Sequence, residues 1–173
     1  MAFILDTNIF LQAKNKDYPF TYFPGFWEWL DSGFKTGQFL LLSSVYKEVS
    51  GGDDEVSNWI KSRKQYVIKE EKAKNYIINH KKIVNFLNDK GFTHMNDFLQ
   101  KADGSLIAYA MTSGDMVITH ELPRPDSKKH PKIPDVCNQF GVKWKGLLYL
   151  FANSTPKPIF RGCVIFCGRL VQG

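Results

Sequence analysis

The opening run Met1-Ala2-Phe3-Ile4-Leu5-Asp6-Thr7-Asn8 constrains the fold more than any other stretch of this chain. Its apolar residues follow one another without the alternation of a half-exposed strand, so they read as a strand buried on both faces, as in a parallel sheet covered by helices. The strand ends on a carboxylate, Asp6, followed by two small polar side chains. In open parallel α/β sheets, ligands bind in the crevice beyond the carboxyl ends of the strands. Asp6 is therefore expected to found an acidic metal site, and the later acids of interest are those that return to the same edge.

Gln38-Phe39-Leu40-Leu41-Leu42-Ser43 and Met116-Val117-Ile118-Thr119 are two further runs of this kind, the last leading into His120 and Glu121. Ser44 is placed to cap a helix over residues 45–49, which puts Glu48 in a first helical turn just after a strand. Gly51 and Gly52 end that helix, and Asp53 or Asp54 can cap another before Tyr66-Val67-Ile68 changes the pattern. The clearest amphipathic pattern runs over residues 70–88, with Ala73, Tyr76, Ile77, Ile83, Val84 and Leu87 on one stripe. His80 on that stripe reads as a packed, hydrogen-bonded histidine, and Lys72, Lys74, Lys81 and Lys82 as a solvated face.

Leu106, Ile107 and Ala110 recur at helical spacing and place Asp103 at the start of a helix, where an aspartate taken alone reads as a cap. Residues 122–134 hold four prolines and the cluster Lys128-Lys129-His130-Pro131-Lys132, an irregular basic loop. Residues 135–140 form a short helix, 142–144 an edge strand and 146–153 a last helix. Residues 15–19 read as a loop. Phe23, Phe26, Trp27 and Leu30 recur at helical spacing behind Pro24, which suits a first helical turn. An aromatic stripe of this kind belongs in the core, with base stacking the lesser alternative.

Strands alternating with helices imply a parallel sheet with right-handed crossovers. At 173 residues and 19.9 kDa the chain fits one domain. Residues 1–158 are assigned to that domain, leaving 159–173 as a tail of unassigned structure. No apolar run is long enough to span a bilayer, and the start does not look like a secretory leader, since Asp6 interrupts its apolar stretch and no basic region precedes it. Three cysteines, Cys137, Cys163 and Cys167, suit reduced thiols in a cytoplasm better than a disulfide framework. A formal charge of +6 permits, without demanding, a polyanionic partner.

Under this topology Asp6, Glu48, Asp103 and Glu121 converge on one sheet edge. Packed carboxylates repel one another and drift toward protonation unless a cation neutralises them. Oxygen-only ligands suit Mg²⁺ or Mn²⁺, which can activate a water and stabilise charge on a phosphodiester, whereas a zinc protease would want histidine ligands that this set lacks.

These residues resemble the PIN-domain nucleases. Asp6-Thr7-Asn8 looks like that family's opening Asp-x-Asn, and Leu42-Ser43-Ser44-Val45-Tyr46-Lys47-Glu48 is similar to its second motif. Asp103-Gly104-Ser105-Leu106-Ile107-Ala108-Tyr109-Ala110 looks like its third, an aspartate opening an Ile-Ala-rich helix. Val117-Ile118-Thr119-His120-Glu121 resembles the fourth, with Glu121 where aspartate is usual. The 22–30 aromatic block, Thr-His-Glu and Lys132-Ile133-Pro134-Asp135-Val136-Cys137 look like a little-characterised bacterial and archaeal branch.

That resemblance implies a PIN-like three-layer α/β/α fold with a central parallel sheet. It implies Asp6, Glu48 and Asp103 as ligands of Mg²⁺ or Mn²⁺, with Glu121 completing the site directly or through water, and Asp126 and Asp135 as alternatives for the fourth role. Asn8, Ser44 and Thr119 would hold these acids by hydrogen bonds, and Lys128, Lys129 and Lys132 would contact an RNA backbone. The implied reaction is hydrolysis of RNA to a 5′-phosphate and a 3′-hydroxyl in the cytoplasm. RNA is the implied substrate, and the resemblance to VapC-like toxins allows an antitoxin protein and a homodimer as partners. Two rival readings stand beside it. A phosphatase-like hydrolase with Asp6 as nucleophile wants a second acid two positions on, where this chain has Asn8. A catalytically incomplete RNA-binding or adaptor module is suggested by Glu121.

Overall fold

The computed structural model describes residues 1–159, so all of the expected tail except Ile159 lies outside the described residues, with Cys163 and Cys167. Strands β1 (Phe3–Leu5), β2 (Phe39–Leu42), β3 (Val67–Ile68), β4 (Met116–Ile118) and β5 (Trp144–Lys145) form a five-stranded parallel sheet in the order β3-β2-β1-β4-β5. β1 pairs with β2 through Phe3↔Phe39 and with β4 through Leu5↔Ile118. The chain runs from β1 outward through β2 and β3, then returns to lay β4 on the other side of β1. The order therefore reverses between β1 and β4, and the crevice of an open α/β sheet opens at such a switch point.

Helices α1 (Thr7–Gln12), α2 (Pro24–Lys35), α3 (Ser43–Ser50) and α4 (Glu55–Lys61) connect β1 to β2 and β2 to β3. The return to β4 carries α5 (Tyr76–Lys90), α6 (Met95–Gln100) and α7 (Ala102–Ser113), and β4 reaches β5 through α8 (Ile133–Gln139). Right-handed crossovers put α1–α4 on one face and α5–α8 on the other, which gives the three layers. Helix α9 (Leu147–Asn153) closes against the first layer, where Phe151 lies 5.1 Å from Trp29 and 6.2 Å from Phe26, ring to ring.

β1 and β4 are wholly buried, as their uninterrupted apolar runs predict. The aromatic block is core: Phe26, Trp27 and Trp29 are buried, and Phe20 stacks on Trp27 at 3.8 Å. Helix α2 approaches β2 so closely that a Cβ at Gly33 would lie 2.0 Å from the Phe39 ring. Asp54 caps α4 by accepting from Ser57 N at 2.9 Å. Among the described residues, no helix is long and apolar enough to cross a membrane. Cys137 is buried, and burial pushes its thiol pKa up.

Three local expectations need correction. Residues 13–17 continue α1 as a π-helical turn, so 15–17 of the expected 15–19 loop are helical. The amphipathic helix starts at Tyr76, not Glu70, because residues 70–72 form a 3-10 turn and Asn75 sits in the left-handed region at φ 62°. Its buried line is Asn79, Ile83 and Leu87, with Ile77 73% exposed; Asn79 is satisfied by donating to Thr112 Oγ1 of α7 at 2.9 Å.

Candidate functional site

Asp6 follows β1 directly, and its N–H continues the ladder to Ile118 O at 3.0 Å. That register sets it beside Thr119, whose hydroxyl donates to Asp6 Oδ2 at 2.8 Å and accepts from Glu121 N at 3.0 Å. Asn8 Nδ2 is 3.4 Å from the same oxygen. Asp6 is fully buried, and its Oδ1 has no hydrogen-bond partner. Asp6 stands at the N-cap of α1, yet its carboxylate makes no capping bond. Burial raises its pKa from 3.8 to about 6 against the lowering effect of Thr119, with Glu121 and Glu48 adding to the rise.

Asp103 opens α7 without capping it, its N-cap position being Lys101. Burial, then the charges of Asp6, Glu121 and Glu48, push its pKa from 3.8 to about 8. Asp6 and Asp103 therefore each feel the charges of Glu48 and Glu121, and Asp103 that of Asp6 as well. Asp126 and Asp135 line a different groove beside Phe86 and Phe92, and Asp135 accepts from Arg124 N at 2.8 Å.

Parallel strands point their carboxyl ends toward the N-termini of the helices that follow them, and three glutamates use this placement in the same way. Glu48, in the second turn of α3, accepts from Thr7 Oγ1 and, at 2.9 Å, from Ala102 N at the start of α7. Glu121 accepts from Ile133 N at the start of α8 at 2.8 Å and pairs with Lys132 Nζ at 2.7 Å. Glu70, just past β3, accepts from Ser43 N at 2.8 Å and Ser44 N at 2.9 Å at the start of α3, and from Ser43 Oγ at 2.8 Å. Each acid thus satisfies orphan N–H groups of a distant helix and lies at the positive end of its dipole. Burial alone would raise Glu70, but these bonds outweigh it and hold its pKa below the ordinary value.

Ser44 does not cap α3 as its position suggested. The Glu70 carboxylate takes that role from across the sheet edge, and the Ser44 hydroxyl is buried with no hydrogen-bond partner. Sequence reasoning also missed Thr7 and Glu70. The available signal for Glu70 was its place just after a strand, shared with Asp6. Replacing Glu70 with Ala is expected to cost about 2 kcal/mol, since it strands buried donors at the start of α3. Urea denaturation measures this; a loss under about 0.5 kcal/mol would show that water replaces the carboxylate without penalty.

Lys128 and Lys129 are exposed on the proline-rich loop, whereas Lys132 is half-buried against Glu121. His80 packs beside Tyr76 and the Gly104 backbone, where burial lowers its pKa. His120 turns a buried Nε2 that has no partner, and burial lowers its pKa against the pull of Asp17.

A buried carboxylate oxygen without a donor, with three more acids close enough to raise the local pKa values, is the donor chemistry of a hard divalent cation. A family model described as "Domain of unknown function (DUF4411)" matches residues 3–157. The chain belongs to the DUF4411 family. No curated protein matches it. Among solved structures, this DUF4411 chain is similar to the crystal structure of VapBC2 from Rickettsia felis bound to a DNA fragment from their promoter, with a TM-score of 0.52 and 15% identity over 84% of this chain and 98% of that one. At that identity the likeness is one of fold, and it agrees with the PIN-like α/β/α architecture expected from the sequence.

Proposed function

We propose that this DUF4411 protein is a metal-dependent endoribonuclease of PIN type. The observation that carries the reading is Asp6 Oδ1, buried and unpartnered at the switch point with Glu48, Asp103 and Glu121 around it. Asp6, Glu48 and Asp103 hold Mg²⁺ or Mn²⁺, which supplies an activated water and offsets charge on the phosphodiester when bound. Thr119 and Asn8 fix Asp6, while Thr7 and the Ala102 N–H fix Glu48 against α7. Glu121 would complete the site directly or through water, one of its oxygens pairing with Lys132 and the other accepting from the start of α8. The product ends are a 5′-phosphate and a 3′-hydroxyl. By its likeness to a VapBC complex, an antitoxin protein is the proposed partner that silences the site.

Incubation of an RNA with the purified chain and Mn²⁺ tests this directly: cleavage that a chelator abolishes is expected, and metal-independent or absent cleavage overturns it. The engagement of Glu121 by Lys132 favours one competitor, an RNA-binding adaptor without catalysis. Metal-free RNA binding with no Mn²⁺ affinity would select that reading.

Lys128 and Lys129 are the proposed backbone contacts. Their joint replacement with Gln should weaken RNA binding and flatten the dependence of log K on log salt by about 0.7 for each phosphate that a lysine had neutralised. An unchanged slope removes this loop from the interface.

A further inference from the structure

A second cluster of ligating side chains lies at the rim of this site and uses different chemistry. His94 precedes α6, Asp97 lies in its first turn, and His130 belongs to the proline-rich loop. All three are exposed, and one donor atom from each lies within 4.8 Å of the other two. The imidazole rings of His94 and His130 are stacked 4.2 Å apart at 13°, and His94 Nδ1 is 3.6 Å from Asp97 Oδ2. The two segments are already tied through the backbone: His94 N donates to Lys129 O at 2.9 Å and Thr93 N to Lys128 O at 3.4 Å. The carbonyl of His130 is in turn held by Ser127 Oγ at 2.9 Å.

The cluster is continuous with the acidic site. His94, Asp97 and His130 line one cavity of about 100 Å³ together with Asp103, Glu121 and Lys132. We propose that His94, Asp97 and His130 form a separate site for a zinc-class transition-metal ion at the mouth of the acidic pocket. Two imidazoles and one carboxylate select Zn²⁺, Co²⁺ or Ni²⁺ over Mg²⁺, which prefers oxygen alone. Bonds to Zn²⁺ of about 2.0–2.2 Å bring donor atoms to roughly 3.5 Å from one another, so the side chains close by about 1 Å and the rings turn out of their stack. Their exposure lets that movement happen without disturbing the buried side chains beneath. Three protein ligands leave a coordination position for water or an anion, as in zinc sites that handle substrate. A bound ion would cross-link the 91–94 and 127–131 segments and set positive charge beside Asp103 and Glu121, which line the same cavity.

The site stands on its own residues and does not depend on RNA cleavage. The test is titration of the full chain with Co²⁺, followed by visible absorption, and with Zn²⁺, followed by calorimetry. Asp6→Asn is included to disable the acidic site, and Cys163→Ser with Cys167→Ser to remove thiols. One equivalent of either ion is expected to bind, with Mg²⁺ in excess failing to displace it. His94→Ala and His130→Ala should each weaken binding by at least about tenfold, and Asp97→Asn by a smaller factor. Unchanged Co²⁺ affinity in both histidine variants overturns the proposal, as does absence of any Co²⁺ complex in the parent. Far-UV circular dichroism checks that these surface variants are folded. A protein that binds Co²⁺ here yet cuts no RNA keeps this site and loses the nuclease assignment, so the two failures are separable.

Discussion

Asp6→Asn and Asp103→Asn are each expected to lower Mn²⁺-dependent RNA cleavage by at least about a hundredfold, a loss of the size seen when a single preorganised electrostatic group is removed from an active site. The substitutions conserve shape. Asn at position 6 still offers an oxygen to Thr119, so the contact between β1 and β4 is kept while one negative charge disappears from the crevice. Glu48→Gln should behave differently, because that side chain also holds the first N–H of α7 and the Thr7 hydroxyl. It is expected to lose both activity and stability, whereas the two aspartate variants lose activity with the fold intact. Single-turnover cleavage with saturating Mn²⁺ measures the chemical step apart from RNA binding. Activity retained within a few-fold in both aspartate variants would place the chemistry elsewhere.

The places of these acids at strand ends and helix starts were legible in the sequence. Uninterrupted apolar runs located β1, β2 and β4, and the side chains just past their ends followed from that placement. Asp6 and Thr119 meet because their strands are neighbours in register, whereas the alternation of strand and helix implied a parallel sheet without saying which strands adjoin. What stayed hidden are particular side-chain bonds between segments distant in sequence. Glu70 and Ser43 are far apart in sequence, and nothing local says that a carboxylate beyond β3 will satisfy the start of α3. The same bond explains the misplaced helix start: residues 70–72 turn tightly to bring Glu70 back over the sheet edge, and α5 begins only after Asn75 has reversed the backbone. Ser44 misled because a serine after a strand is a good local cap, and a buried carboxylate from elsewhere displaced it. His94 and His130 escaped for a similar reason, their meeting being set by backbone pairing between two irregular loops.

Metal-free protein should lose stability as pH rises through the neutral range, and Mn²⁺ should restore it. Asp103 and Asp6 are raised from 3.8 to about 8 and about 6, so between these values the folded chain holds protons that the unfolded chain has released. Their contribution is complete below about pH 4 and disappears as pH climbs through 6 for Asp6 and 8 for Asp103. Each proton is worth at most about 1.4 kcal/mol per pH unit, so the loss between pH 5.5 and pH 8 reaches at most roughly 4 kcal/mol. For a chain of this size that corresponds to a fall in Tm on the order of 10 °C. His80 and His120, whose pKa values burial lowers, act in the opposite direction below about pH 6.5, so the informative quantity is the difference between wild type and Asp103→Asn, in which they cancel. The Asn variant should be the more stable of the two at pH 8 without metal, by several degrees, and the gap should close toward pH 5.5. Mn²⁺ binds only the ionised carboxylates, so its stabilisation of wild type should grow with pH and be much reduced in Asp103→Asn. Scanning calorimetry at several pH values, with Mn²⁺ and with chelator, measures all of these. Parallel Tm curves for the two proteins without metal would mean that Asp103 is ionised and paired in the fold, and the mutual repulsion on which the cation site rests would be absent.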